Sequence, residues 1–135
     1  MEKEIVIDGK HATMGRLASY AAKQALIGYK VVIVNSEEVV IIGNKKEIIN
    51  RYHVKFKRGG SSLKGPKIEK NPERLLKRTI RGMLSHKQGR GADAFDRVRC
   101  YNTTPKEYQE SKKIHAGKEK TGKFITLKQL FEVIN

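Results

Sequence analysis

The sequence predicts an α/β fold built on a small, mainly parallel sheet of about four strands. Residues 5–7, 31–34 and 39–42 are apolar, β-branched runs without polar alternation, which suits strands covered on both faces. Between the first two runs, Met14, Leu17, Ala18, Ala21, Ala22 and Ala25 recur at helical spacing, so this connection is long enough for a parallel crossover. A chain of 135 residues with 38% apolar side chains fits a single domain, 1–135, with a modest core. No internal repeat and no Pro/Ser-rich linker divides it.

The first run stops at Asp8 and Gly9, and the helix after it ends at Gly28, a favourable terminator. The second and third runs end at Asn35 and Gly43. Asn44 and Glu47 form a capping box for a helix that buries Ile48, Ile49 and Tyr52, with Arg51, Lys55 and Arg58 along its outer side. Residues 59–66, GGSSLKGP, form a loop carrying Lys64, with Lys67 just beyond. It is either a plain surface loop or, given its place between two basic helices, a contact loop. Asn71, Pro72 and Glu73 open a helix over 72–84: a capping side chain, a proline where no N–H is needed, and an acid near the positive end. Val98, Cys100 and Tyr101 predict a final strand with Cys100 as a small buried filler. Thr104, Pro105 and Glu107 start a further helix, residues 112–123 form a polar loop, and Thr126 with Gln129 caps a last helix that docks on the sheet through Leu127, Leu130, Phe131 and Ile134.

The functional signal is concentrated in the helix at 72–84. At about 100° per residue, Arg74, Lys77, Arg78 and Arg81 share one stripe, and Leu76, Ile80, Met83 and Leu84 lie on the other side. No acid sits among the four cations, so they repel one another unless something outside the helix neutralises them. Gly89 and Gly91 flank Arg90 and allow the backbone to come close to a partner. The net charge of +15 is equally uneven: residues 51–91 hold 13 Lys/Arg against 2 Asp/Glu, whereas residues 1–50 hold 7 against 6. One-sided charge of this size on an otherwise balanced domain points to a polyanion.

Several function classes fit poorly. Cys100 is the only cysteine, so an internal disulfide and a four-cysteine zinc site are excluded. The acidic N-terminus resembles no secretory signal, no run approaches the ~20 apolar residues that span a bilayer, and the expectation is a cytoplasmic protein that does not bind membranes. The runner-up, a nucleotide-binding enzyme, would use the strand, glycine loop and helix at residues 5–27. Its loop, GKHATMGRL over residues 9–17, has one residue too many between the glycines, Arg16 where a phosphate-binding lysine belongs, and no hydroxyl after it for magnesium. The helix start at Gly15 and Arg16 could still hold a backbone phosphate, or be a tight turn made for packing. His11, His53, His86 and His115 are scattered, and adjacent Ser85 and His86 diverge on a helix, so no metal site, cofactor or nucleophile is expected. Nucleic acid remains. Without paired strand aromatics, a zinc finger or a helix-turn-helix, the expectation is recognition of the backbone and shape of a folded RNA. The expected phosphate contacts are Arg51, Lys55, Arg58, Lys64, Lys67, Arg74, Lys77, Arg78, Arg81, Lys87 and Arg90, with Arg16 as a further contact.

Four ordered blocks carry a family resemblance: GRLAS at 15–19, VVIVNSEEVVIIGNK at 31–45, RTIRGML at 78–84, and RG followed by AF and RVRCY over 90–101. Together they resemble the large-subunit ribosomal protein thirteen family in its archaeal and eukaryotic branch. The resemblance implies a three-layer α/β/α fold and a non-catalytic, structural constituent of the ribosomal large subunit that binds large-subunit rRNA beside neighbouring ribosomal proteins. Ser85 stands where the family usually has proline, so the helix before it should end less abruptly. Asn102 stands where glycine is common, so the turn after the last strand should be built differently.

Overall fold

The computed structural model describes residues 3–57, 71–116 and 122–134. In chain order the elements are β1 (Glu4–Asp8), α1 (Met14–Ile27), β2 (Lys30–Val34), β3 (Val40–Ile42), α2 (Lys45–Lys57), α3 (Pro72–Gly82), α4 (Gly89–Asp96), β4 (Val98–Cys100), β5 (Lys113–Ile114), β6 (Phe124–Thr126) and α5 (Leu127–Ile134), with 3-10 turns at Ser36–Glu38 and Lys106–Tyr108. Four strands form a wholly parallel sheet in the order β4-β2-β1-β5. Ile5 pairs with Val31 and Ile7 with Ile33 on one face, while Val6 and Val32 face the other way.

The two faces are covered unequally. Ile7, Val31, Ile33 and Val98 pack in one core with Leu17, Ala18 and Ala21 of α1, Leu76 and Ile80 of α3, Ala94 of α4, and Leu127, Leu130 and Phe131 of α5. Val6, Val32 and Val34 form a smaller core capped by Tyr101 and Tyr108, whose ring centroids lie 6.1 Å apart. The outer layers are therefore helices on one side and, on the other, the segment bearing the Lys106–Tyr108 turn. Gly28 ends α1 at φ 123, a conformation glycine reaches without a Cβ penalty, and its N–H donates to the carbonyls of Gln24 and Ala25. Arg97 Nη1 donates to the Ala25 carbonyl at 2.9 Å as a second cap of the same helix end.

Several expectations need correction. The run at 39–42 leaves the main sheet: β3 pairs antiparallel with β6, Val40 opposite Thr126 and Ile42 opposite Phe124. A parallel neighbour needs a crossover of roughly a dozen residues. Here the chain turns directly after Val34, through Asn35 in the left-handed region at φ 57 and one 3-10 turn. The helix expected from Thr104 is only the Lys106–Tyr108 turn, because Tyr108 alone gives it no apolar stripe to bury. The polar stretch 112–123 contributes β5, which pairs Lys113 and Ile114 with Val6 and Ile7; two residues carry no periodicity to read. α3 stops at Gly82, so Met83 swings out to 44% exposure, while Leu75 joins the core in its place.

Other expectations are met. Thr126 and Gln129 form a reciprocal box, with Gln129 N–H donating to Thr126 Oγ1 at 3.1 Å and Thr126 N–H donating to Gln129 Oε1 at 3.2 Å. Of the box expected from Asn44 and Glu47, the Asn44 half is present, its Oδ1 accepting the Lys46 N–H at 2.9 Å at the start of α2. Cys100 is half-buried rather than fully buried, packed against the main core; desolvation still pushes its thiol up to about 12, against the opposing charge of nearby Lys77, so it stays neutral and acts as filler.

Candidate nucleic-acid interface

The site is built around α3. Its start is fixed by a compact network: Asn71 Oδ1 accepts the Glu73 N–H at 3.2 Å, and Asn102 Oδ1 accepts the same N–H at 2.9 Å. Asn102 returns the contact, its N–H donating to Glu73 Oε2 at 3.0 Å and its Nδ2 to Asn71 Oδ1 at 3.1 Å. The asparagine after β4 therefore clamps the helix to the sheet edge, something a glycine side chain could not do. Leu75, Leu76 and Ile80 then bury one side of α3. Arg74 is left exposed on the opposite side, and Lys77, Arg78 and Arg81 are half-exposed there. Lys77 Nζ lies 5.0 Å from the Phe95 ring centroid, which holds its ammonium against α4.

The structure groups the expected contacts into separate sets. On α2, Lys55 Nζ and the Arg51 guanidinium lie 5.0 and 5.8 Å from the centroid of the Tyr52 ring, so both exposed cations flank one buried aromatic. α2 packs against α5, and α3 packs chiefly against α1, β4 and the Ser36–Glu38 turn while also touching α5. Lys87 and Arg90 are exposed around the turn from α3 into α4, and Arg16 is exposed on the first turn of α1. Arg58, Lys64 and Lys67 lie outside the described residues. Arg78, Arg81, Lys87 and Arg90 form no ion pair with any described residue; pairs between described residues include Lys30–Glu4 at 3.7 Å and His115–Asp8 at 4.0 Å.

Of the two glycines around Arg90, Gly91 has a different task from the one expected. Gly91 is buried, and a Cβ there would overlap the Ser85 carbonyl and lie 2.9 Å from Ser85 Cα. The close approach that this glycine permits is within the chain, between α4 and the turn after α3. Gly89 has open space around its missing side chain.

The loop after β1 is closed by the chain itself. Gly9 N–H donates to the Val34 carbonyl at 2.8 Å, His11 N–H to Glu38 at 3.0 Å, Ala12 N–H to Gly9 at 3.1 Å, and Lys10 N–H to Asp8 Oδ1 at 2.9 Å. With these four amides engaged, the segment from Gly9 to Ala12 closes on the chain itself, and only the helix start at Gly15 and Arg16 is left for a phosphate. The carboxyl edge of the parallel strands, where nucleotide sites of this fold class form, carries Asp8. Its Oδ1 accepts Asn35 Nδ2 at 3.0 Å, and Asn35 Oδ1 accepts the Thr104 hydroxyl at 3.0 Å. Burial alone would raise the Asp8 carboxyl, but the Asn35 and Lys10 hydrogen bonds and the His115 and Lys113 charges outweigh it and hold it below its usual value. A fixed anion at that edge opposes a second one. Among the described residues, no group of three or more His, Cys, Asp or Glu could hold a metal ion, and no helix is long and apolar enough to cross a membrane.

The comparison with known proteins settles the family. A family model described as ribosomal protein L13 matches residues 2–107. The chain belongs to the ribosomal protein L13 family. Within it, the chain is similar to the large ribosomal subunit protein uL13 of Archaeoglobus fulgidus, 43% identical over 131 residues that cover 93% of this chain and 83% of the relative. The uL13 protein of Methanocaldococcus jannaschii is 44% identical over 128 residues, covering 93% of each chain. That of Caenorhabditis elegans is 40% identical over 117 residues, covering 84% of this chain and 57% of the relative.

One basic residue escaped the sequence reading. Arg99 is exposed on β4, in register with Val32 on the sheet face opposite the helices, and shares a cleft with Arg74 and Lys77. The signal was present in RVRCY, where Arg97, Arg99 and Tyr101 alternate with inward-facing Val98 and Cys100.

Proposed function

We propose that this L13-family chain is a structural constituent of the large ribosomal subunit that binds and stabilises large-subunit rRNA through its basic surface, working in the cytoplasm as part of the ribosome. The observation that carries the reading is the cationic stripe of α3: four like charges on one side of a helix whose other side is fixed in the core, in a chain of net charge +15. Such a stripe lowers stability through self-repulsion unless a polyanion covers it. The residues proposed to touch phosphates are Arg51, Lys55, Arg74, Lys77, Arg78, Arg81, Lys87 and Arg90, with Arg16 on α1 and, outside the described residues, Arg58, Lys64 and Lys67. The chain 1–135 acts as one domain with its RNA-contact region at about 51–91. Its partners are large-subunit rRNA and neighbouring ribosomal proteins; it has no catalytic role, cofactor or small-molecule substrate.

The test is co-sedimentation of the tagged chain with large subunits at moderate salt, paired with RNA affinity measured across a salt series. If about six to ten contacts reach phosphates, affinity falls by roughly three to five orders of magnitude between low and moderate salt. A flat salt response, or fractionation away from the large subunit, overturns the reading.

A further inference from the structure

The basic surface is not uniformly convex. Between α3 and the edge strand β4 lies an open cleft of about 290 Å³, lined by Glu73, Arg74, Lys77, Arg99, Cys100 and Tyr101. Its volume is at the small end of ligand-sized concavities, roughly 300–1,000 Å³. Among the described residues that line it, three of six are cations. Among the described lining residues the one acid, Glu73, already receives the Asn102 N–H on Oε2 at 3.0 Å, and the Cys100 thiol is neutral. Lys77 is held at the wall by the Phe95 ring, and Arg99 forms no ion pair with a described residue. On its far flank Arg99 also borders a second concavity with Lys30, Arg97, Asp93 and Asp96, where the two acids face three cations.

Shape decides what such a cleft takes. A paired RNA helix presents its phosphates along a stiff, convex ridge, which suits the outward stripe of Arg78 and Arg81. A narrow concavity with cations and an aromatic side chain suits a single nucleotide turned out of the helix, whose phosphate meets the charges and whose base has a ring to lie against. We propose that the α3–β4 cleft seats one unstacked nucleotide of the bound RNA, its phosphate held by Arg74, Lys77 and Arg99 and its sugar and base lying against Tyr101. This rests on the RNA-binding reading above and adds that the protein distinguishes a bulged or looped RNA from a fully paired one.

The experiment compares two RNA probes, a fully paired duplex and the same duplex with one unpaired adenosine, titrated by fluorescence anisotropy against the full chain and its Arg99→Gln, Arg99→Lys and Arg78→Gln variants. The wild-type chain should prefer the bulged probe by about tenfold. Arg99→Gln should abolish that preference and leave affinity for the paired duplex within about threefold, with an unchanged melting curve, while Arg99→Lys keeps part of the preference. Arg78→Gln should weaken both probes alike. A wild-type chain that binds both probes equally overturns the proposal, as does an Arg99→Gln variant that keeps the preference or weakens both probes to the same degree. A wild-type chain that binds neither probe at low salt refutes the RNA-binding reading itself.

Discussion

Replacing Gly91 with alanine tests whether this glycine serves the fold or the RNA. The new Cβ would fall on the carbonyl group of Ser85, with Ser85 Cα only 2.9 Å away. These are backbone atoms, so no side chain can rotate aside, and the turn between α3 and α4 must move by about an ångström to restore ordinary contact. Overpacking of this kind costs about 3 kcal/mol, the upper part of the usual range. For a chain of 135 residues, an unfolding entropy of about 2.1 cal/mol/K per residue makes each kcal/mol equivalent to roughly 3–4 °C, so Tm should fall by about 10 °C. Gly89→Ala is the matched control. Nothing lies within 4 Å of its added Cβ and its φ is not positive, so it should leave Tm unchanged or raise it slightly. Both melts are read by circular dichroism, with RNA affinity measured below the transition. A Gly91→Ala protein that melts within about 2 °C of wild type yet binds RNA poorly would refute the packing role and restore a direct approach to RNA at this glycine.

The triple change Arg74, Arg78 and Arg81 to Gln should leave the melting transition in place while lowering RNA affinity, and the slope of log affinity against log salt should shrink by up to about 3; loss of the transition would show that these side chains hold the fold. Asn102→Ala removes the nearer of two acceptors for Glu73 N–H and the donor to Asn71, leaving Asn71 Oδ1 to accept the Glu73 N–H, so urea denaturation should show a loss of about 0.5–1.5 kcal/mol, and an unchanged midpoint would mean the clamp is idle. Asp8 titrates below its usual value of 3.8 in the folded chain. Its contribution to stability is therefore complete above that value and is lost as pH falls through the lower folded value. Asp8→Asn should flatten the acid limb of a stability-against-pH curve, and an acid limb identical to wild type contradicts the assignment. The Cys100 thiol, pushed up to about 12 by burial, should react with an alkylating reagent at mildly alkaline pH far more slowly in the native chain than in urea; equal rates would place it at the surface.

Periodicity and end signals are local properties, and they carried most of the secondary structure. The alternation-free valines of β2, the alanine-rich side of α1 up to Gly28, the Asn-Pro-Glu start of α3 and the Thr126–Gln129 box are each written in a few consecutive residues, and the structure forms them. So is the cationic side of α3, because a charge pattern on one helix needs no partner to be visible. The short strands were illegible for the converse reason. β5 is two residues long and exists only because Val6 and Ile7 offer an edge, while β6 exists because β3 needs a partner.

By itself, then, the sequence determined the fold class, the family, the cationic stripe and the absence of a phosphate-binding lysine in the first loop, since all of these depend on residue type and spacing along the chain. Tertiary structure decided how residues far apart in sequence meet. Asn102 reaches Glu73 to clamp α3, Gly91 makes room for Ser85 and so is withdrawn from any partner, and Arg99 joins Arg74 and Lys77 across the α3–β4 cleft. The contacts of Asn102 and Arg99 with α3 have no local signal, because they arise only when β4 pairs with β2 and brings α3 against the same edge, whereas Gly91 and Ser85, close in sequence, meet across the tight turn between α3 and α4.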